Sequence, residues 1–280
     1  YTTLLICGML EFRSKTEKKQ LKREFSTGKV KVEVCMKQYE DLFSCYRQPA
    51  LVEDVQVKKE RNDESEHVLV MCRNQAFVVY TRVDGHLLTF GDIIFQLREV
   101  VRLSGTTEDL VIRVGASGAG DRDTAALFWN ELQKVESNRT SLKSAQEAVF
   151  VVCLDHDDTN PTPPQGPSKP QNHEQELVRR AKHLLVGGGT CGNGMNRWYD
   201  ATIQFIVSRS GTNGLCIEHS TAEGIVSITM AESALRYERE NREQVQGEEA
   251  EKEVSVKALS WDVSPEAMAL LEKQKATLDE

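Results

Sequence analysis

The stretch HVLVMCRNQAFVVYTRV, residues 67–83, indicates how the chain begins to fold. Its two apolar, β-branched runs, 67–72 and 75–83, are separated only by Arg73 and Asn74. Two such runs joined by two residues predict a β-hairpin. We therefore expect an antiparallel strand pair here, ended by a turn at VDGH.

The segments around this hairpin alternate between strand and helix patterns. In GDIIFQLREVVRL, residues 91–103, apolar residues recur at helical spacing, and Asp92 is the expected N-cap. Further helices are predicted at 121–135, 174–186 and 264–278, and further strands at 109–117, at the end of 145–155, at 201–209 and at 214–219. The charged residues 11–33 predict a solvated helix followed by a turn at STGK, and the charge run at 238–253 predicts a solvated helix or loop. This alternation predicts an α/β fold, a mixed β-sheet flanked by helices.

The bulk composition excludes several classes of protein. The chain has 280 residues, a net charge of −8 and no long basic block, so nucleic-acid binding is not expected. Its first apolar run, LLICGML, is too short for a membrane span. The seven cysteines include no CxxC pair, which indicates reduced thiols in a cytoplasmic protein rather than a zinc site.

Five of the seven prolines lie in residues 156–175, which we expect to form a surface loop or short linker. His156, Asp157 and Asp158 in this stretch imitate a metal site. Because a flexible loop cannot hold a fixed coordination geometry, no metal is expected there.

The glycines at 187, 189 and 192 satisfy GxGxxG, the dinucleotide-binding fingerprint. That fingerprint works where a strand leads in and a helix leads out, because the helix N-terminus holds the pyrophosphate. Here a predicted helix leads in and a predicted strand leads out. We therefore expect a helix-to-strand loop, not a nucleotide site.

The stretch GLCIEHSTAEGIVSI, residues 214–228, carries Glu218 and His219 in an otherwise apolar or small run, with Glu223 following. Its flanks and Gly224 predict a strand that ends at His219 and a turn through STAEG. A tight turn can fold the carboxylate of Glu223 towards the imidazole, where it would orient the ring and favour the imidazolium. Spacing alone allows either a structural histidine or a general base.

Cys216 and His219 also suggest a thiol nucleophile and the base that would activate it. Residues three apart in a strand face opposite sides of the sheet, so the two could not share a proton there. Cys216 is therefore expected to be a small buried residue.

In NRWYD, residues 196–200, Arg197 and Asp200 flank two aromatic residues. One explanation is a buried pair between the arginine and a carboxylate. The other makes Arg197 the partner of an acid that steadies the histidine of the site. Both explanations can hold together.

These motifs together resemble the choline/carnitine acyltransferase family. Residues 192–224, GNGMNRWYDATIQFIVSRSGTNGLCIEHSTAEG, match its NRW[FY]D and EHxxx[ED]G elements with the family's spacing. Upstream, LLICGMLEFRS (4–14) and CMKQYEDLFSCYRQP (35–49) match further family segments. The resemblance covers nearly the whole chain.

The resemblance implies acyl transfer between coenzyme A and the hydroxyl of a quaternary-ammonium alcohol, with acetyl-CoA as co-substrate and no bound cofactor. His219 would be the catalytic general base, Glu223 would hold and polarise it, and Arg197 and Asp200 would support the site. The implied fold has two similar, chloramphenicol-acetyltransferase-like α/β domains with the histidine at their interface. Residues 1–280 would be mostly the N-terminal domain.

The sequence also departs from the family. Val186 and Ala201 stand where the family usually has His and Lys. The family's oxyanion-stabilising motif and coenzyme-binding residues lie in a second half beyond Glu280, so this chain alone is expected to be inactive. LFSCYRQP, EHSTAEGIV and the tyrosine of NRWYD favour choline over carnitine as the acceptor. A non-catalytic paralogue is the alternative of another class.

Overall fold

A mixed β-sheet organises the part of the chain that the structure, a computed structural model, describes: residues 1–106, 111–156 and 173–280. The strands there are β1 (Cys45–Gln48), β2 (Val55–Lys58), β3 (Glu66–Cys72), β4 (Gln75–Val83), β5 (His86–Leu87), β6 (Val151–Asp155), β7 (Ile203–Ser208), β8 (Asn213–Ile217) and β9 (Lys257–Ala258). The main sheet has the order β5-β4-β3-β6-β7-β8, with β9 along β4, while β1 and β2 form a separate antiparallel pair. Strands β3, β6 and β7 run parallel, and β4 and β8 are antiparallel to their neighbours. The predicted mixed α/β class is confirmed.

The hairpin of β3 and β4 forms as the sequence predicts. Cys72 pairs with Gln75, so Arg73 and Asn74 are the whole connection. Both have positive φ, 49° and 63°, as a tight hairpin turn requires for its twist to match that of the strands.

Seven α-helices cover the sheet within the described ranges: α1 (Thr2–Glu17), α2 (Phe90–Ser104), α3 (Arg122–Leu132), α4 (Glu136–Gln146), α5 (His173–Val186), α6 (Gly224–Asn241) and α7 (Pro265–Ala276). Side chains of α1, α2 and α6 form one core cluster on one face of the sheet, and those of α3, α4 and α7 form a second on the other. Strand β3 serves both, because Val68 and Val70 face the first cluster while Leu69 and Met71 face the second. The sheet is therefore buried on both faces.

The strand predicted at 109–117 is wrong for the residues that the structure describes. Residues 111–113 are irregular, and Val114–Gly118 is a 3₁₀ helix; 109 and 110 lie outside the described residues. Close packing explains the difference, because a Cβ on Gly115 would lie 2.1 Å from the carbonyl oxygen of Arg197. This tertiary contact overrides the β-branched pattern.

The helix predicted within 11–33 begins before that range, at Thr2, and ends well inside it, at Glu17. Its apolar N-terminal half packs so closely on α6 that a Cβ on Gly8 would lie 3.0 Å from backbone atoms of Ala234. That apolar half, rather than the charged segment after it, sets the position of the helix.

Two other boundaries differ from the sequence prediction. Helix α5 begins at His173, inside the proline-rich segment predicted as loop, and residues 157–172 of that segment lie outside the described residues. Asp157 and Asp158 are among them, while His156 accepts a hydrogen bond from Nε of Arg73. For helix α6, the sequence predicted only a solvated helix or loop from residue 238 onwards, so the part of the helix from Gly224 to that point was not predicted.

No helix in the three described ranges is long and apolar enough to cross a bilayer. Within the same ranges, no group of three or more His, Cys, Asp or Glu side chains could hold a metal ion. All seven cysteines lie in these ranges and are free thiols.

The N-cap of α2 is Thr89, not Asp92 as predicted. Asp92 is the third residue of the helix and completes a capping box, in which its Oδ2 accepts from the Thr89 amide at 2.9 Å. Its Oδ1 accepts from the Lys252 amide at 2.6 Å, so one buried carboxylate ties the helix start to segment 248–252.

Asp92→Ala is expected to lower the free energy of unfolding by about 2–4 kcal/mol, because it removes a cap and leaves buried amides without an acceptor. Urea denaturation measures the loss. Glu99→Ala, at an exposed ion pair in the same helix, is the control and should cost less than about 1 kcal/mol. Equal losses for the two variants would contradict the capping role of Asp92.

Candidate functional site

The loop of residues 218–223 connects β8, an edge strand of the main sheet, to α6. His219 lies in this loop with its side chain exposed. At the other end of the loop, Glu223 is the N-cap of α6, and its amide donates to Oε1 of Gln38 at 3.0 Å. A strand end and a helix start thus present the histidine at the surface between them.

The contact expected between His219 and Glu223 is not made in this structure. No hydrogen bond or ion pair joins the two among the contacts of the described residues, and the side chain of Glu223 is exposed. Nε2 of His219 instead lies over the first turn of α6, 3.9 Å from where a Cβ on Gly224 would be. The imidazole is open to small molecules from the solvent side.

Glu218 fixes the loop from within. Its carboxylate accepts from the amide and hydroxyl of Ser220, and its Oε1 accepts from Nη1 of Arg47 at 3.3 Å. The Glu218 amide donates to the carbonyl of Thr202 at 3.1 Å. The residue just before His219 is therefore tied to its own loop, to β1 and to the start of β7.

A chain of alternating charges continues from Arg47 into the protein. Nε of Arg47 donates to Oδ2 of Asp54 at 2.6 Å, and Nε of Arg122 donates to the same oxygen at 2.7 Å. Nη1 of Arg122 then donates to Oδ1 of Asp200 at 2.7 Å. Glu218 and Asp200, from the two family motifs, are thus the two ends of one network.

Asp200 is the most buried acid of this network, with 2% of its surface exposed. Burial raises its pKa to about 6, although Arg122 works in the opposite direction. A Cβ on Gly118 would lie 2.6 Å from Oδ1 of Asp200, so the 3₁₀ helix closes over the carboxylate.

Arg197 belongs to a different cluster, and the buried pair expected between this arginine and a carboxylate is confirmed, with Asp155 as the acid. Both Nη atoms of Arg197 donate to Asp155, at 2.7 and 2.9 Å, and both side chains are fully buried. Nε2 of His183 lies 3.0 Å from Oδ2 of Asp155. Burial alone would raise the pKa of Asp155, but hydrogen bonds from His183 and Arg197 lower it. The histidine next to this acid is therefore His183, not His219.

The glycine-rich loop has the polarity that the sequence predicts, with α5 before it and β7 after it. Gly187 and Gly189 have φ of 60° and 80°, and a Cβ on Gly187 would lie 2.2 Å from the backbone of Asn193. The loop folds on itself and packs tightly, which agrees with a connection rather than a phosphate cradle.

Cys216 lies in β8 with 9% of its surface exposed, and burial raises the pKa of its thiol. A thiol that holds its proton is a poor nucleophile. The expectation of a small buried residue is confirmed.

Sequence reasoning missed the residues that support the loop. Arg47 and Gln38 lie in CMKQYEDLFSCYRQP, a segment recognised only as a family motif. Asp54 and Arg122 carried no motif at all. For Arg47 and Gln38, the available signal was that each is a polar residue inside a matched family motif.

Comparison with known proteins gives consistent matches. The sequence model of the family described as Choline/Carnitine o-acyltransferase matches residues 1–280. Choline O-acetyltransferase of Sus scrofa is 32% identical over 271 residues, which are 95% of this chain and 40% of the relative. The Homo sapiens choline O-acetyltransferase is 32% identical over 270 residues, 95% of this chain and 34% of the relative.

Carnitine O-acetyltransferase of Mus musculus is 31% identical over 282 residues, 99% of this chain and 42% of the relative. The chain therefore spans well under half the length of these relatives. The family resemblance inferred from the motifs is confirmed, while the identities do not separate choline from carnitine.

The raised pKa of Asp200 predicts a pH-dependent effect of Asp200→Asn. A folded-state pKa of about 6 means that the folded protein binds more protons than the unfolded chain between about pH 4 and 6. This group's contribution to stability therefore falls as the pH rises through that range. Asn keeps an acceptor for Arg122 without titrating.

We accordingly expect Asp200→Asn to gain stability relative to the wild-type chain between about pH 4 and 6 and to hold that difference above pH 7. Urea denaturation at a series of pH values measures it. Asp63→Asn, an exposed aspartate, is the control for losing one charge. A difference that runs in the opposite direction would contradict the burial of a proton-binding Asp200.

Proposed function

Because the chain belongs to the choline/carnitine O-acyltransferase family, we propose that it supplies the histidine-bearing part of a choline O-acetyltransferase. The reaction would be acetyl-CoA plus choline to acetylcholine plus CoA. The observation that carries the proposal is the exposed His219 in the EHSTAEG loop, whose neighbours Glu218 and Glu223 are held by Arg47 and Gln38.

In the proposed mechanism, a ring nitrogen of His219 takes the hydroxyl proton of choline as the oxygen attacks the thioester carbonyl. A carbon–oxygen bond forms, the tetrahedral intermediate collapses, and the carbon–sulfur bond breaks. The leaving thiolate of CoA then takes the proton from the imidazolium. In the reverse direction the same ring would deprotonate the CoA thiol. Histidine suits this two-way transfer because the residue type titrates near neutral pH.

The other site residues have supporting roles in this proposal. Glu223 would stabilise the imidazolium, which requires its exposed carboxylate to turn towards the ring when the alcohol binds. Asp200 would act at a distance, since the ion-pair network connects it to Glu218. Arg197 would hold the scaffold through Asp155.

Choline is proposed as the acceptor on the motif residues near the site. LFSCYRQP, EHSTAEGIV and Tyr199 favour it over carnitine, the second candidate, which the matching carnitine acetyltransferase keeps open. A non-catalytic paralogue is less favoured, because a decayed site would be free to lose His219 or Glu223. The seven free thiols favour the cytoplasm as the compartment.

No residue of this chain is assigned to CoA or to the oxyanion. In the family these groups lie in the part that follows the matched region, and oxyanion stabilisation is often the largest single contribution to catalysis. We therefore propose that residues 1–280 alone do not turn over substrate.

Expression of the full open reading frame that contains this chain tests the function. With radiolabelled acetyl-CoA, we expect acetyl transfer to choline with a higher kcat/KM than to carnitine, and no transfer by residues 1–280 alone. A preference for carnitine would establish the second candidate. Absence of transfer to either alcohol from a folded full-length protein would support the non-catalytic alternative.

His219→Ala in the full-length protein should lower kcat by about 10²–10⁴-fold, because that is the usual contribution of a general base. Glu223→Ala should cost less. His86→Ala and Glu232→Ala, at exposed positions outside the loop, are the matched controls and should retain activity. Circular dichroism and thermal unfolding must show an intact fold, since unfolding of His219→Ala would mean that the histidine is structural.

A further inference from the structure

A cavity of about 740 Å³ lies on the face of the sheet covered by α1, α2 and α6. Its walls come from α1, the start of α2, the end of the β4–β5 hairpin, Tyr237 of α6 and segment 248–251. The loop that carries His219 does not line it. The volume falls in the range usual for pockets that enclose small organic molecules.

One part of the cavity wall is apolar. The side chains that provide it come from three helices and the hairpin: Leu10, Leu88, Phe90, Ile93 and Tyr237. Leu88 and Ile93 are themselves buried against the main core, so this wall is firmly supported. It can enclose a ring or a short aliphatic body.

The arginines in the wall are neutralised by neighbouring acids. Nη1 of Arg13 lies 2.6 Å from Oε1 of Glu66, and Nη1 of Arg61 lies 2.6 Å from Oε2 of Glu17. Nε of Arg82 lies 3.7 Å from Oε2 of Glu66. These guanidinium groups therefore offer little net attraction to an anion.

Segment 248–251 adds three glutamates, Glu248, Glu249 and Glu251, that form no ion pair with any described residue. The segment is fixed, because the amide of Lys252 donates to Asp92, and because the carbonyl oxygen of Glu249 packs so closely on α2 that a Cβ on Gly91 would lie 2.1 Å from it. The cavity thus has an excess of negative charge in a defined place.

The Glu248 carboxylate acts on the cavity wall itself. Burial, and next the charge of Glu248, raise the pKa of Cys7 to about 12. Cys7 lies in α1 and lines the same cavity. Glu248 therefore lies close enough to α1 for its charge to act on Cys7, while the side chains of Glu248, Glu249 and Glu251 are themselves exposed where they line the cavity.

Thr81 provides a second, independent sign of a ligand. It lines the cavity with 1% of its surface exposed, and its Oγ1 has no hydrogen-bond partner among the described residues. It follows Phe77 and Val79 at strand spacing, and both of those side chains belong to the core on the cavity's side of the sheet. A buried hydroxyl without a partner is rare in native proteins and calls for an explanation.

We propose that this cavity binds a small organic ammonium ion that has a ring-sized apolar body and carries a hydroxyl group. The ammonium group faces Glu248, Glu249 and Glu251, the body lies against the apolar wall, and the hydroxyl bonds to Oγ1 of Thr81. This binding involves neither the His219 loop nor acyl transfer.

Three probes of matched shape separate these contributions. Tyramine has the cation, the ring and the hydroxyl; phenethylamine lacks the hydroxyl; and 3-(4-hydroxyphenyl)propionate replaces the cation by an anion. Dissociation constants come from titrations of the 280-residue chain, followed by the NMR signals of its methyl groups. We expect tyramine to bind about 3–10-fold more tightly than phenethylamine and at least about 30-fold more tightly than the anion. The methyl signals of Leu10, Leu88 and Ile93 should shift.

Two variants test the two polar contacts. Removing the three charges with Glu248→Gln, Glu249→Gln and Glu251→Gln should weaken tyramine binding at least about tenfold. Thr81→Val should make tyramine and phenethylamine bind equally, and it should leave the fold intact because Oγ1 has no protein partner to lose. Thr81→Ser keeps the hydroxyl and should keep the preference for tyramine.

The matched control removes three exposed charges outside the cavity, with Glu232→Gln, Glu240→Gln and Glu243→Gln. It should change tyramine binding by less than about twofold. An equal loss in this control would mean that the probe responds only to the net charge of the chain. Equal binding of cation and anion, shifts confined to other methyl groups, or no binding at 10 mM would each overturn the proposal.

Discussion

Two arginines hold the surface around His219 in place. Arg47 and Arg122 share one carboxylate, Asp54, and each also binds an acid of a family motif, Glu218 or Asp200. A buried acid without a partner would cost several kcal/mol, so the acids need these cations to remain charged. The shape of the loop next to His219 therefore depends on residues more than 160 positions earlier in the sequence, such as Arg47.

The NRWYD motif belongs to two networks, and among the described residues no ion pair joins the charged groups of one network to those of the other. Arg197 points to Asp155 at the end of β6, and Asp200 points to Arg122 at the start of α3. The first network fixes α5, since Arg197 also donates to the carbonyls of His183 and Leu184. The motif thus connects the sheet to α5 on one side and to the loop-supporting network on the other.

Regular elements and the candidate histidine could be predicted from sequence because their signals are local. The β3–β4 hairpin follows from two apolar runs and a two-residue connection, and helix α7 follows from Ser264 with Pro265 at its first position. The segment 111–117 could not be predicted, because the contact of Gly115 with Arg197 that decides its path joins residues far apart in sequence.

The sequence names candidate residues for the site but does not reveal their contacts. His219 lies two residues beyond the end of β8, close to the strand end that the pattern predicted. Glu223 is the N-cap of a helix that the pattern did not reveal and forms no hydrogen bond or ion pair with the ring among the contacts of the described residues. The predicted pair between Arg197 and a carboxylate does form, but no sequence pattern identifies that carboxylate as Asp155, 42 residues earlier. Motif spacing names candidate residues, whereas their ion pairs depend on tertiary packing.

Helix α6 joins the two regions to which we assign functions. It begins at Gly224, directly after the loop that carries His219, packs along α1 through Ala234 and Gly8, and reaches the cavity with Tyr237. The close backbone contact at Gly8 leaves little room for α6 to shift against α1. The histidine loop and the cavity are therefore two ends of one firmly packed helix pair, which keeps their geometries defined by the same core.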